Sequence, residues 1–448
     1  MQHYKFPLFP ILLLAFLLFH NFCFSQNNKN ASKSDTTADD YYGSGGGGMH
    51  YEDYIYSSNI KTVQLHDESF EISQPLINLD LPEKLKFSFD ELDADMKNYS
   101  YTFIHCNSNW QPSDLMPAEY IDGFQDNPIT DYKYSFNTLQ KYVHYNVVFP
   151  NSSSSITKSG NYILKVYQDG NPDNIIITKR FMVFQNKIMI QAKVSPPSDV
   201  SVRNYNQEVD FTINCNAYVI TNPYSDLNVI ITKNNRWDNA KTNLKPLFVK
   251  DADLIYDLSQ ENVFQGGNEF RNVNIKSIRT KSDRIPKITT DSSINHVYLA
   301  ADEKRSFKKY EFNQDINGDF LVKIQEGNNS EIEADYCYVH FFLPYNEPLT
   351  EGNLYIFGAY NGWKCNRENM LHYNGKRLGY EATLYLKQGY YDYEYVFLKD
   401  NITAADETII EGTHYETENN YTIYVYHKQQ GTFYEQLIGV KRINSNGY

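Results

Sequence analysis

The sequence predicts an all-β chain made of tandem antiparallel β-sandwich, immunoglobulin-like domains in series. Three observations lead there. Aromatic residues make up 15% of the 448 positions, with 39 Tyr and 27 Phe, and these side chains favour pleated, half-buried sheets. Short apolar or alternating runs follow one another between turn signals, with no helical period between them. With 22 Gly and 16 Pro, the chain is too poor in both residues to be collagen-like or wholly disordered.

The elements follow in order. Residues 1–25 read as a secretory signal peptide: a short basic start to Lys5, an apolar run from Phe6 to Phe22, and small Ser25 before Gln26. Cys23 follows Phe22 rather than a small residue, which argues against a lipid anchor. Residues 26–50 are polar and end in a Gly-rich tract, the composition of a flexible leader. Residues 51–193 are expected to form the first sandwich, with strands over 63–72, 84–89, 99–105, 142–149, 162–167 and 175–184. Asp169-Gly170 supplies the turn of the last hairpin. The Pro196-Pro197 pair reads as a joint opening a second sandwich over 194–332, whose clearest strands are 209–215, 227–232, 245–249 and 273–278. A third sandwich over 333–448 holds strands at 336–343, 354–357, 380–386, 390–398 and 421–427. There Lys387-Gln388-Gly389 is read as a tight hairpin turn.

Charge and chemistry narrow the function. Lys plus Arg number 41 against 55 Asp plus Glu, a formal charge of -14, which excludes broad electrostatic attraction to nucleic acid or anionic lipid. No stretch after the leader is long and apolar enough for a membrane helix, so an exported, soluble protein is expected. Beyond the Gly-rich leader, a Gly-x-Ser-x-Gly elbow, a P-loop, a Gly-x-Gly-x-x-Gly turn, a His-Glu-x-x-His helix and Cys-x-x-Cys are all missing, so no catalytic residue, cofactor or metal ligand set is predicted. Asn313 to Asp319 imitates the start of a calcium loop, but Ile324 stands where the bidentate Glu is needed. Asn317-Gly318 reads better as a hairpin turn. Cys106, Cys215, Cys337 and Cys365 are widely separated, and the first three sit in apolar or alternating runs, as buried free thiols do.

Trp110, Trp237 and Trp363 fall one to each set of strands. Each is expected to cover or anchor its own sandwich core, the alternative being an exposed platform for sugar rings. Four stretches are too irregular for sheet patterning. They are 105–114 (His-Cys-Asn-Ser-Asn-Trp-Gln-Pro-Ser-Asp) continuing to 118–125, 235–240 (Asn-Arg-Trp-Asp-Asn-Ala), 266–271 (Gly-Gly-Asn-Glu-Phe-Arg) and 411–421 (Glu-Gly-Thr-His-Tyr-Glu-Thr-Glu-Asn-Asn-Tyr). Together, in order from about Tyr51 to Gly439, they resemble the type IX secretion system plug protein family of the Bacteroidota, with Tyr415 where Trp is expected.

That resemblance implies a non-enzymatic periplasmic protein. Its partner would be the giant outer-membrane β-barrel translocon, whose periplasmic opening it would close when no cargo is engaged, as a monomer within a heteromeric complex. The segment 354–363 with 384–397 also looks like early-set immunoglobulin-like modules related to glycogen-binding domains. This leaves an alternative reading as a carbohydrate-binding protein, with Trp363 as the sugar-stacking residue. The Trp110 to Phe124 segment holds Pro112 and Pro117, which prevent a regular ladder, so it is read as an ordered loop. Trp110, Tyr120 and Phe124 are its partner-contact candidates, unless they brace the loop itself.

Overall fold

The computed structural model describes residues 48–291 and 293–447. The signal peptide over 1–25 and most of the leader over 26–50 lie outside the described residues. What is described is almost entirely strand and loop, with single-turn helices such as Pro117–Tyr120. No helix among the described residues is long and apolar enough to cross a membrane.

The first sandwich packs two sheets. One has the order Tyr54–Ile55, Ile175–Phe184, Gly160–Gln168, Tyr99–Cys106, Asn127–Pro128, and the other Ile60–Asp67, Leu85–Glu91, Val143–Phe149, Asp131–Tyr134. Their facing side chains, including Phe87, Phe89, Phe103, Tyr145, Tyr162 and Phe181, form one buried core. Asp169 and Gly170 both take positive φ, and the Asn171 amide bonds back to the Gln168 carbonyl, so the predicted turn closes its hairpin.

The second sandwich begins earlier than expected. Met189–Ser195 already pairs with Asn206–Asn214, so Pro196 and Pro197 lie inside this sandwich rather than before it. Its other sheet is built from distant chain: Lys241–Leu244, Leu227–Lys233, Asn420–His427, Gln436–Asn444. The linear division at residue 333 therefore does not match the strand pairing. Leu227 faces His427 and Lys233 faces Tyr421, which returns the strands after residue 419 to the second sandwich. Conversely, Arg271–Asn274 pairs with Gly389–Lys399, and Asn295–Tyr298 pairs, in parallel, with Tyr336–Pro344. The third sandwich is thus an insertion within the second.

Lys387-Gln388-Gly389 is corrected from hairpin to sheet corner. Gly379–Lys387 pairs with Tyr336–Pro344, whereas Gly389–Lys399 belongs to the opposite sheet with Arg271–Asn274 and Gly352–Phe357. Buried Gln388 pins the corner: its amide donates to the Asp335 carbonyl, and its side chain bonds the Asp335 amide and the Lys276 carbonyl. Asn317-Gly318 is a turn with both residues at positive φ, but no strand precedes it at 309–312 to make a hairpin.

Alternation explains how the sandwiches adhere. In Asn420–His427, Ile423 and Val425 enter the second core, while Tyr424 and Tyr426 point the other way. In the first sandwich, Leu164 and Val183 enter their own core while Ile163 and Met182 point outward. These outward sets meet in a separate buried cluster with Trp110 and Leu437. A strand with both faces covered reads as a continuous apolar run, which is how these segments read. The connecting chain is held as well, since the amides of Gln185 and Lys187 donate to the carbonyls of Leu437 and Ile438.

Candidate functional site

The four irregular motifs meet in pairs at the seams between sandwiches. Trp110, from the first motif, sits edge-on to Trp237, from the second, with ring centroids 4.9 Å apart, and Trp237 stacks on Tyr424 at 5.4 Å. The Arg180 guanidinium covers Trp110 at 4.4 Å. Trp110 is 5% exposed, so it serves the junction of two sandwiches rather than one core alone. The third and fourth motifs are the two chains that lead into and out of the inserted sandwich. The His414 amide donates to the Gly267 carbonyl at 2.8 Å, Gly267 N–H to Thr413 Oγ1 at 3.0 Å, and Asn268 Nδ2 to the Glu411 carbonyl at 2.8 Å. A Cβ on Gly266 would lie 1.9 Å from the His414 carbonyl oxygen, so this close approach demands glycine.

Buried charge reinforces each seam. Arg271 donates through Nε and Nη2 to Glu411 at 2.9 Å and through Nη1 to Asp302 at 3.1 Å; its partner is not nearby Glu269. Burial opposes the Arg236 charge, yet Asp238, Glu407 and Glu394 hold its guanidinium well above the ordinary value. Arg236 stacks on Trp363 at 4.7 Å rather than on adjacent Trp237. Between the first and third sandwiches, fully buried Asp90 accepts from Lys387 Nζ and Tyr336 Oη, both at 2.6 Å, and pairs with His144 Nδ1 at 2.6 Å. Lys387 also donates to the Glu331 carbonyl at 2.9 Å and lies 4.1 Å above the Tyr142 ring.

A cavity of ≈ 530 Å³ opens where the three sandwiches converge, lined among others by Asp53, Arg180, Arg236, Trp363, Lys364 and Glu407. Several of its charges already have partners. Asp53 pairs with Lys179 and accepts from the Arg180 amide, Arg236 meets Glu407 at 2.6 Å, and Lys364 meets Glu52 at 3.5 Å. Such a cavity is a seam between bodies more than a site shaped around one charged ligand.

The contact candidates separate. Trp110 is spent on the junction. Tyr120 is 3% exposed; its Oη donates to the Phe103 carbonyl at 3.1 Å and its ring lies 5.9 Å from Tyr162. Neither offers surface to a partner, because the loop folds them inward. Phe124, at 70% exposed, remains free to make contact. Trp363 is half-buried, packed against Arg236, Phe270 and Phe357 on the wall of that cavity. A Cβ on Gly318 would lie 2.2 Å from Trp363 Cη2 at a φ of +81°. Gly318→Ala is therefore expected to cost about 2 kcal/mol, read as a lowered thermal midpoint. The four cysteines among the described residues are free thiols in separate surroundings, with Cys106 and Cys365 pushed up to about 12 chiefly by burial.

A solved structure of a hypothetical protein from Parabacteroides merdae ATCC 43184 is 33% identical, with a TM-score of 0.85, covering 89% of this chain and 100% of that one. The family model described as the type 9 secretion system plug protein 1st domain matches residues 60–185, the body of the first sandwich. The chain belongs to the type IX secretion system plug protein family. No functionally curated protein matches it. Family membership ties the chain to that secretion system, and the family match falls on the sandwich that carries Phe124.

Proposed function

We propose that the chain is a non-enzymatic periplasmic plug that closes the periplasmic opening of the outer-membrane translocon barrel when no cargo is engaged. The family match over 60–185 carries this reading. The seams support it, because stopping a wide pore needs a body that resists deformation. Here paired motifs, buried ion pairs and hydrogen-bonded connections tie three sandwiches together. A plug must also leave, so its contact with the barrel should be moderate in size and partly polar, as in non-obligate complexes. Phe124 is the proposed aromatic anchor of that contact, exposed on a loop of the first sandwich.

The test is to tag the chromosomal copy, solubilise membranes gently and identify what co-purifies. A very large barrel protein is expected, in greater yield when cargo is removed. Phe124→Asp is expected to cut that recovery at least roughly fivefold while leaving the thermal midpoint unchanged, as a lost interface anchor of 1–2 kcal/mol would. Recovery of the tagged chain alone, across several detergents and salts, would overturn the proposal.

A further inference from the structure

The outer face of one sheet in the second sandwich carries an unbalanced group of carboxylates. Asn206–Asn214 sends Val209, Phe211 and Ile213 into the core, so Glu208 and Asp210 point to the opposite face. The pairing of Phe211 with Tyr256 sets the next residue, Asp257, across from Asp210. Like charges directly opposite on neighbouring strands repel. Oxygens of Glu208, Asp210 and Asp257 nevertheless all lie within 4.8 Å of one another.

Glu208 makes the imbalance acute. It is 2% exposed, beneath the segment that follows Pro196 and Pro197. Its Oε2 accepts from the Ser198 amide at 2.8 Å, while its Oε1 is buried with no hydrogen-bond partner among the described residues. Beside it Asn262 is fully buried; its Nδ2 donates to the Val209 carbonyl at 2.8 Å and lies 3.4 Å from Asp210 Oδ1, and its Oδ1 also has no partner. Among the described residues the one cation paired to the group is Lys193, 3.4 Å from Asp210 and mostly exposed; Ser195 Oγ donates to the same carboxylate at 2.9 Å. A buried carboxylate oxygen without a partner is costly unless a cation meets it.

We infer that Glu208, Asp210 and Asp257 bind a calcium ion. Calcium takes six to eight oxygens at about 2.3–2.6 Å, so two ligands of one ion lie at most about 5 Å apart, as these do. In this assignment Glu208 supplies Oε1, since Ser198 already occupies Oε2, Asp210 and Asp257 supply one oxygen each, and water would fill the remaining positions on the exposed Asp257 side. The ion ties strand Asn206–Asn214, whose Glu208 also holds the loop after Ser195, to the chain just after Asp253–Tyr256. This assignment is independent of the translocon reading.

The test uses the full chain freed of metal with a chelator. Calcium chloride at 1 mM should raise the thermal midpoint by roughly 3 °C or more over a sodium chloride control of equal ionic strength, with a smaller rise from magnesium chloride. Equilibrium dialysis should find one tightly held calcium per chain. Asp257→Asn alters an exposed side chain and should fold normally, and Glu208→Gln removes the buried charge; each should abolish the rise and lose the bound ion. No calcium-dependent rise in the native chain, an equal response to magnesium, or a rise that survives in both variants would overturn the assignment.

Discussion

Lys387→Met is expected to destabilise the fold by about 3–5 kcal/mol, the usual consequence of stripping the partner from a buried charge. The substitution keeps an unbranched apolar side chain and deletes the ammonium that lies 4.1 Å above the Tyr142 ring and meets Asp90 at 2.6 Å. Asp90 would keep Tyr336 and His144 but lose its buried cation. Burial works against the Asp90 charge, and Lys387 and His144 outweigh it, holding the carboxyl below its ordinary value. Because that folded value is depressed, the stability it contributes is present above the unfolded value near 3.8 and is lost as pH falls below it. Denaturant midpoints at pH 7 check the prediction. Adding Asp90→Asn to Lys387→Met should recover part of the loss; a single variant within 1 kcal/mol of the native chain would show that shape alone holds this seam.

The second large effect runs the other way with pH. Asp392 is fully buried, and its Oδ2 accepts from the amides of Ile316 at 2.6 Å and Gly318 at 3.2 Å. Burial and then the nearby Asp315 carboxylate outweigh those bonds and push Asp392 up to about 8. Asp315 rises to about 7 in the same surroundings. Below the ordinary value of 3.8 the carboxyl is protonated in both folded and unfolded chains, so it contributes no pH dependence there. Between about 4 and about 8 the unfolded chain ionises while the fold retains the proton, so stability falls by up to about 1.4 kcal/mol per pH unit from this group. Asp392→Asn keeps an acceptor for Ile316 and Gly318 but cannot ionise. Its stability should exceed that of the native chain by a few kcal/mol at pH 8 and converge with it near pH 4. Equal stabilities at both values would refute the account.

The parts of this molecule that were legible in its sequence are those determined locally. The Gly160–Gln168 and Ile175–Phe184 hairpin follows from alternation and the Asp169-Gly170 turn, because both signals lie within a few residues of their effect. Lys387-Gln388-Gly389 carries similar turn chemistry, yet the chain passes there from one sheet to the other; nothing local distinguishes a corner from a hairpin. The four motifs were visible as departures from sheet patterning, but their convergence was not, since Trp110 and Trp237 are brought together by faces of separate sandwiches. The carboxylate group was half visible. Glu208 and Asp210 show the two-residue spacing of one strand face, whereas Asp257 joins them through register with a strand that lies more than forty residues later. For Trp110 and Tyr120 the sequence left contact and bracing open, because an aromatic loop looks alike whether it folds outward or inward; both side chains are buried.

The nested third sandwich also sets the order in which the chain can become whole. The sheet containing Leu227–Lys233 waits for Asn420–His427, so a middle strand cannot find its neighbour until almost 200 intervening residues have emerged and folded or been held aside. The first sandwich contains all its own strands and can form early, but the outward Ile163 and Met182 stay uncovered until Tyr424 and Leu437 arrive. During synthesis this chain therefore passes through a long interval with an exposed apolar face. Loss of its last two strands would unravel its middle, with the inserted sandwich left hanging from chains that no longer have a body to return to.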